Sequence, residues 1–269
     1  MCFCPRKPRF RCSSIKRSKE EKQSLQNSTR NNRAFIPGTL TVFNLLCGFL
    51  SVRYAVEGNF LTASWLIILA AVLDGLDGTV ARLTRGYSRF GIEFDSLADV
   101  VSFGMAPSVL IYLADFQYLG KFGLTLSFFP LLFGAIRLAR FNVTQAGFEK
   151  ENFMGLPIPI QASALASYII FSDAVWGAVR FSRMFALLVI FLSFLMISHV
   201  EYETLPKFTF RKDRKNSIKL VLFLLASVAV IFFPALAIFP IAISFILGGF
   251  IRSLVLFFRR EEEVMDISV

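Results

Sequence analysis

The residues of this chain that could do chemistry are four aspartates. Asp74 and Asp77 lie in D-G-L-D-G-T-V-A-R, and after eight further residues Asp95 and Asp99 lie in G-I-E-F-D-S-L-A-D. On helices, spacings of three and four place each pair on one face. Two such faces turned toward each other converge four carboxylates on one point. An unpaired acid is costly in apolar surroundings, about 2.5–3.5 kcal/mol for a central Asp even on the lenient insertion scale. Arg82 is the only nearby cation fixed by the same pattern, so a divalent metal is the simplest source of the missing positive charge. Oxygen-only donors favour Mg2+, Mn2+ or Ca2+ over zinc, which wants His or Cys. Gly75 and Gly78 leave part of the same helix bare, open to close approach by a substrate or another helix. Two plainer readings stand beside this one: acids solvated at a helix end, or acids paired inside a transporter bundle.

The elements that must position these acids are membrane helices. Of the 269 residues 55% are hydrophobic and the mean hydropathy is +0.60, too apolar for a soluble domain of this size. Apolar stretches of spanning length run at about 36–56, 60–83, 92–114, 121–140, 156–177, 183–199, 217–233 and 235–257. Pro234 and Pro240 supply the break between the last two. The expected fold is therefore all-α, a polytopic membrane helix bundle with about eight transmembrane helices. Outside the spans lie a basic tail over 1–33, expected to be disordered, a loop over 201–216 and a charged end over 259–269.

The net charge of +10 does not point to nucleic acid, because the cations gather in the tail and loops and so fit an anionic membrane surface better. In this arrangement 24 Lys and Arg residues lie on the side of the termini and the motif loop, and only Lys121, Arg180 and Arg183 on the other. The positive-inside rule then puts both termini and the motif loop in the cytosol. Asp74 stands about 12 Å above Arg82 on the second span, at about 1.5 Å per residue. The site is thus expected just within the cytosolic leaflet, reached by a lipid sideways and by a soluble substrate from below. The tail lacks an apolar core followed by a cleavage site, so it is not a conventional signal peptide, although it leaves room for an organellar transit peptide. Cys2, Cys4 and Cys12 have no nearby His and, with Cys47, read as unpaired thiols rather than a zinc site. His199, the one histidine, reads as an interface residue at a span end rather than a general base.

Read as a whole, the motif is D-x2-D-G-x2-A-R-x8-G-x3-D-x3-D. In it the chain resembles the CDP-alcohol phosphatidyltransferases without a mismatch. The resemblance covers about residues 36–200, expected as a six-span core over 34–200 with two further spans over 217–258. Three more stretches, S-L-A-D-V-V-S-F-G-M-A-P-S (96–108), R-L-A-R-F-N (137–142) and G-L-P-I-P (155–159), look like the phosphatidylserine synthase branch of that family. The resemblance implies an enzyme of phospholipid biosynthesis that transfers the phosphatidyl group of CDP-diacylglycerol to an alcohol, with L-serine the expected alcohol, and releases CMP. It also implies that Asp74, Asp77 and Asp95 bind Mg2+ or Mn2+, with Ca2+ admitted, and that Asp99 contributes to the metal site and acts as base. Gly78, Arg82 and Ser88 are the implied contacts to CDP-diacylglycerol. The first span opens I-P-G-T-L-T-V-F-N. Relatives commonly carry a P-N-x-x-T-type opening that contributes to the nucleotide pocket, which implies Thr41 as a further contact, while Gly38 stands where Asn is usual. Asn44 falls within a turn of Thr41 and reads equally as a polar helix interface.

A serine acceptor brings a carboxylate that needs a cation. Arg137 or Arg140, at the cytosolic end of span four, could give it a bidentate partner, with Asn142 beside them. The same arginines could instead snorkel to headgroups. Glycerol phosphate, inositol or its phosphate, and choline are the alternative acceptors within the family, and inositol phosphate would also want arginines. An ion-coupled transporter is the reading from another class, but the paired broken helices in two related halves that it calls for are not visible. Expected partners are CDP-diacylglycerol, L-serine and membrane lipids, with no nucleic acid and a homodimer admitted. The expected location is a bacterial inner membrane.

Overall fold

The computed structural model describes residues 38–84, 89–146, 155–198 and 225–267, which form helices and short turns with no strand among them. In chain order the helices are α1 Gly38–Val56, α2 Phe60–Thr84, α3 Arg89–Asp99, α4 Ala106–Ala114, α5 Gly120–Ala146, α6 Ile158–Trp176 and α7 Ser182–Ile197. They are followed by a short helix α8 over 225–232 and by α9 Pro234–Ile267. A π turn, Val100–Met105, joins α3 to α4, and a 3-10 turn, Phe116–Leu119, leads into α5.

Among the described residues six helical segments are long and apolar enough to cross a membrane: Gly38–Val56, Phe60–Val80, Phe90–Ala114, Phe116–Val143, Ile158–Trp176 and Pro234–Val255. The protein is an all-α integral membrane protein. Of the eight expected spans, 183–199 corresponds to α7, whose 16 residues reach only about 24 Å against a hydrocarbon core of about 30 Å. The expected span 217–233 falls partly outside the described residues, which resume with α8. Phe233 interrupts the helices and Pro234 opens α9, where its missing N–H costs nothing. Pro240, in contrast, is carried inside α9, and Ser244 Oγ donates to its carbonyl at 2.7 Å. The backbone of α9 stays helical to Ile267, through most of the charged end. The expected tail over 1–33 and loop over 201–216 lie outside the described residues, as do Ser88 and His199.

The core forms around α6, which packs on α2, α4, α5, α7, α9 and the π turn. Ala162, Ala164, Ala166 and Ser167 are buried along α6, small side chains that let neighbouring backbones come close where no hydrophobic drive separates protein from lipid. The start of α6 is tied to the end of α7. Leu156 N–H donates to the carbonyl of Leu195 at 3.2 Å, and Gly155 adopts φ +84° where a Cβ would collide with the Met196 carbonyl oxygen. Gly134 on α5 meets Met196 and Ile158, so α5, α6 and α7 come together there. Large apolar side chains such as Phe43, Phe49, Val72 and Leu76 are exposed, as lipid-facing positions require.

Candidate active site

On α2 the buried residues Ala63, Ile67 and Ala70 repeat at four and three, the seam of a packed helix. Continuing that spacing by four and three arrives at Asp74 and Asp77. The acids therefore extend the packing stripe and are drawn inward with it: Asp77 is buried and Asp74 half-buried. Asp95 and Asp99 occupy the last turns of α3. Asp74, Asp95 and Asp99 each offer a carboxylate oxygen, and these three atoms lie within 4.8 Å of one another.

Asp77 is not one of those three. Its Oδ2 accepts a hydrogen bond from Thr41 Oγ1 of α1, while its Oδ1 is buried without a partner. Asp95 Oδ1 is likewise buried and unpartnered. Asp99 Oδ1 accepts from Asn44 Nδ2 at 3.3 Å. Among the described residues no Lys or Arg forms an ion pair with any of the four. Buried carboxylate oxygens in native proteins normally find a donor or a cation. A set of hard oxygens with unfilled lone pairs and, among the described residues, no ion-paired cation suits a divalent cation of the Mg2+, Mn2+ or Ca2+ kind. The residues present fit that group.

The other expected contacts distribute unevenly. Thr41 faces the acids. A Cβ on Gly75 or Gly78 would meet nothing within 4 Å, so that side of α2 is open. Arg82 lies on the last turns of α2, with its side chain outside the described residues. Arg137 on α5 is half-buried, is an electrostatic neighbour of Asp99, and keeps its Nε buried without a hydrogen bond. Arg140, nearly one turn on, is exposed. Asn142 reaches α3, where its Nδ2 donates to Ser96 Oγ at 3.1 Å. It ties α5 to the residue next to Asp95.

Two features of the site go beyond the sequence reading. One is the role of Asn44, read from the sequence only as a polar residue within a turn of Thr41: it is 1% exposed, its side chain reaches Asp99 and its backbone carbonyl accepts from Ser102 Oγ at 3.0 Å. The other is the π turn that begins directly after Asp99, where Ala106 N–H reaches the carbonyl of Val101, five residues back. Such bulges often mark functional sites. Gly104 and Pro107 were its only sequence trace.

Comparison with known proteins gives the same direction. The family model for CDP-alcohol phosphatidyltransferase matches residues 34–195. The chain is 36% identical over 223 residues to a CDP-diacylglycerol–serine O-phosphatidyltransferase of Helicobacter pylori (strain ATCC 700392 / 26695), covering 82% of this chain and 91% of that protein. It is 38% identical over 172 residues to the archaetidylserine synthase of Methanothermobacter thermautotrophicus, covering 62% and 69%. A CDP-diacylglycerol–serine O-phosphatidyltransferase of Mycobacterium bovis is 32% identical over 225 residues, covering 80% and 76%.

Proposed function

The chain belongs to the CDP-alcohol phosphatidyltransferase family, and from that premise we propose that it transfers the phosphatidyl group of CDP-diacylglycerol to L-serine, giving phosphatidylserine and CMP. The observation that carries the acceptor is that serine is common to the names of the bacterial and archaeal relatives, one of them matched over 91% of its length. Residues 34–200 are the catalytic core in this reading. The tail over 1–33, the loop over 201–216 and the end over 259–269 are cytosolic, and 217–258 adds membrane anchorage. The site opens to the cytosolic leaflet of a bacterial inner membrane.

In the reaction the serine hydroxyl oxygen attacks the lipid-side phosphorus. The bond from that phosphorus to the bridging oxygen breaks, and CMP departs with the electron pair. Asp99 takes the hydroxyl proton as the new P–O bond forms, which needs a carboxylate within reach of the nucleophile and fixed in orientation. Asp74, Asp77, Asp95 and Asp99 would hold a divalent cation, Mg2+ or Mn2+. When bound, it supplies charge neutralisation on the pyrophosphate and the departing CMP. Asp77, fixed by Thr41, keeps one oxygen available on that side. The open face at Gly75 and Gly78 admits the pyrophosphate to the α2 backbone, with Arg82 and Ser88 as further contacts. Arg137 binds the serine carboxylate: its buried, unpartnered Nε and its electrostatic influence on Asp99 support it over the exposed Arg140, and it would set the hydroxyl next to the base. Asn142 shapes the same pocket through Ser96.

The test is a comparison of acceptors on purified protein in detergent with CDP-diacylglycerol. CMP release is expected with serine, not with glycerol 3-phosphate, inositol or choline. It should be lost in EDTA and restored by Mg2+ or Mn2+. Release of CMP at an equal rate with another alcohol would overturn the acceptor, and full rate in EDTA would overturn the metal.

A further inference from the structure

We infer that Asn44 is a positioning residue that fixes Asp99 through α1, an inference that rests on the reading of Asp99 as base. Asn44 is 1% exposed and sits in the middle of an apolar span, a place where an amide persists only if it is bonded. Two groups from the α3–π-turn segment grip it. Its Nδ2 donates to Asp99 Oδ1 at 3.3 Å, and its backbone carbonyl accepts from Ser102 Oγ at 3.0 Å. Asp99 closes α3 and Ser102 lies in the π turn directly after it, and their two contacts make one residue of α1 the anchor for both. The close approach is built in one turn further along α1. A Cβ on Gly48 would stand 2.7 Å from Ser102 Cα, so only glycine lets α1 lie this near. Asn44 Oδ1 remains buried and unpartnered.

The physical consequence concerns the rotamer of Asp99. A buried carboxylate among other carboxylates, with Arg137 as its electrostatic neighbour, has competing partners to turn toward. A neutral amide held by the backbone of another helix fixes one oxygen without adding charge, which leaves the other oxygen aimed at the nucleophile. The contribution falls on the chemical step and not on holding CDP-diacylglycerol, since pyrophosphate contacts lie on α2.

The experiment compares Asn44→Leu, which keeps the volume, with Asp99→Asn and the wild type. The readouts are kcat, KM for CDP-diacylglycerol, and Mn2+ affinity by electron paramagnetic resonance. Asn44→Leu is expected to lower kcat about ten- to a hundredfold, the loss of one hydrogen bond to a charged group. KM for CDP-diacylglycerol should stay within about twofold, and Mn2+ affinity should be retained far better than in Asp99→Asn. Ser102→Ala, a smaller change available should Asn44→Leu not fold, is expected to lower kcat by roughly two- to tenfold with the same unchanged KM. An unchanged kcat in the variant that folds overturns the inference. So does a fall in kcat matched by lost Mn2+ binding and raised KM, because Asn44 would then act only through the fold. If Asp99→Asn keeps more than about a tenth of the wild-type rate, the base reading fails and this inference with it. If Asp99→Asn is inactive while Asn44→Leu is normal, only the positioning of Asp99 by Asn44 fails.

Discussion

Replacing Arg137 by Lys is the perturbation that bears most directly on the choice of acceptor. Arginine offers a planar fork of donors matched to a carboxylate, whereas lysine offers a compact point charge. Arg137 Nε is buried and bonded to nothing among the described residues, so a serine carboxylate arriving there gains a donor already stripped of water. The exchange removes about one hydrogen bond to a charged group, about 1.5–3 kcal/mol. At about 1.36 kcal/mol per factor of ten, this corresponds to a loss of roughly ten- to a hundredfold in kcat/KM for serine. KM for CDP-diacylglycerol should be nearly unchanged, because the proposed function assigns that substrate to the carboxylates and the open face of α2. The assay is CMP release with serine varied at saturating CDP-diacylglycerol, run in parallel with serinol, which keeps hydroxyl and amine but lacks the carboxylate. Serinol should be a poor substrate for the wild type and nearly insensitive to Arg137→Lys. Equal use of serine and serinol by the wild type would refute the carboxylate argument. A loss confined to the CDP-diacylglycerol KM would move Arg137 to the nucleotide lipid.

Asp95→Asn should abolish turnover and weaken Mn2+ binding measured on the protein without substrate, since Asp95 Oδ1 is buried with no protein partner and converges with Asp74 and Asp99. Asp77→Asn should cost less Mn2+ affinity than Asp95→Asn, because Thr41 already occupies one of its oxygens; equal losses would put all four acids on the ion alike. Single cysteines placed at residues 86 and 213 should react with an impermeant thiol reagent from the cytosolic side, and one at residue 118 from the other side. Labelling of residue 118 from the cytosol would overturn the orientation drawn from the charge asymmetry.

What could be read from the sequence was whatever repeats with the period of its own helix. The stripe through Ala63, Ile67, Ala70, Asp74 and Asp77, and the four-residue step from Asp95 to Asp99, are local patterns. The aspartate spacings led to the expectation that all four acids converge, and the structure groups three of them, Asp74, Asp95 and Asp99. Apolar length anticipated six of the segments long enough to span. It overestimated α7 because an apolar run of 17 residues contains a helix of only 16. Pro240 reads as a break, yet in an apolar medium a helix gains by continuing, and the one lost N–H does not end α9.

The remainder rests on partners far apart in sequence. Thr41 reaches Asp77 across 36 residues and Asn44 reaches Asp99 across 55, and no spacing rule links such pairs. The π turn is hidden for another reason: widening one helical turn changes neither composition nor length. These long-range pairings meet at α1. Its Thr41 and Asn44, three residues apart, take hold of one acid on α2 and one on α3, and Gly48 lets the helix come near enough for both. Under the proposed function the four-aspartate pattern names the groups that do the chemistry, while the contacts from α1 hold the two halves of that pattern relative to each other. A substitution that pushes α1 away, such as Gly48→Ala, should accordingly disturb Asp77 and Asp99 together although it touches neither.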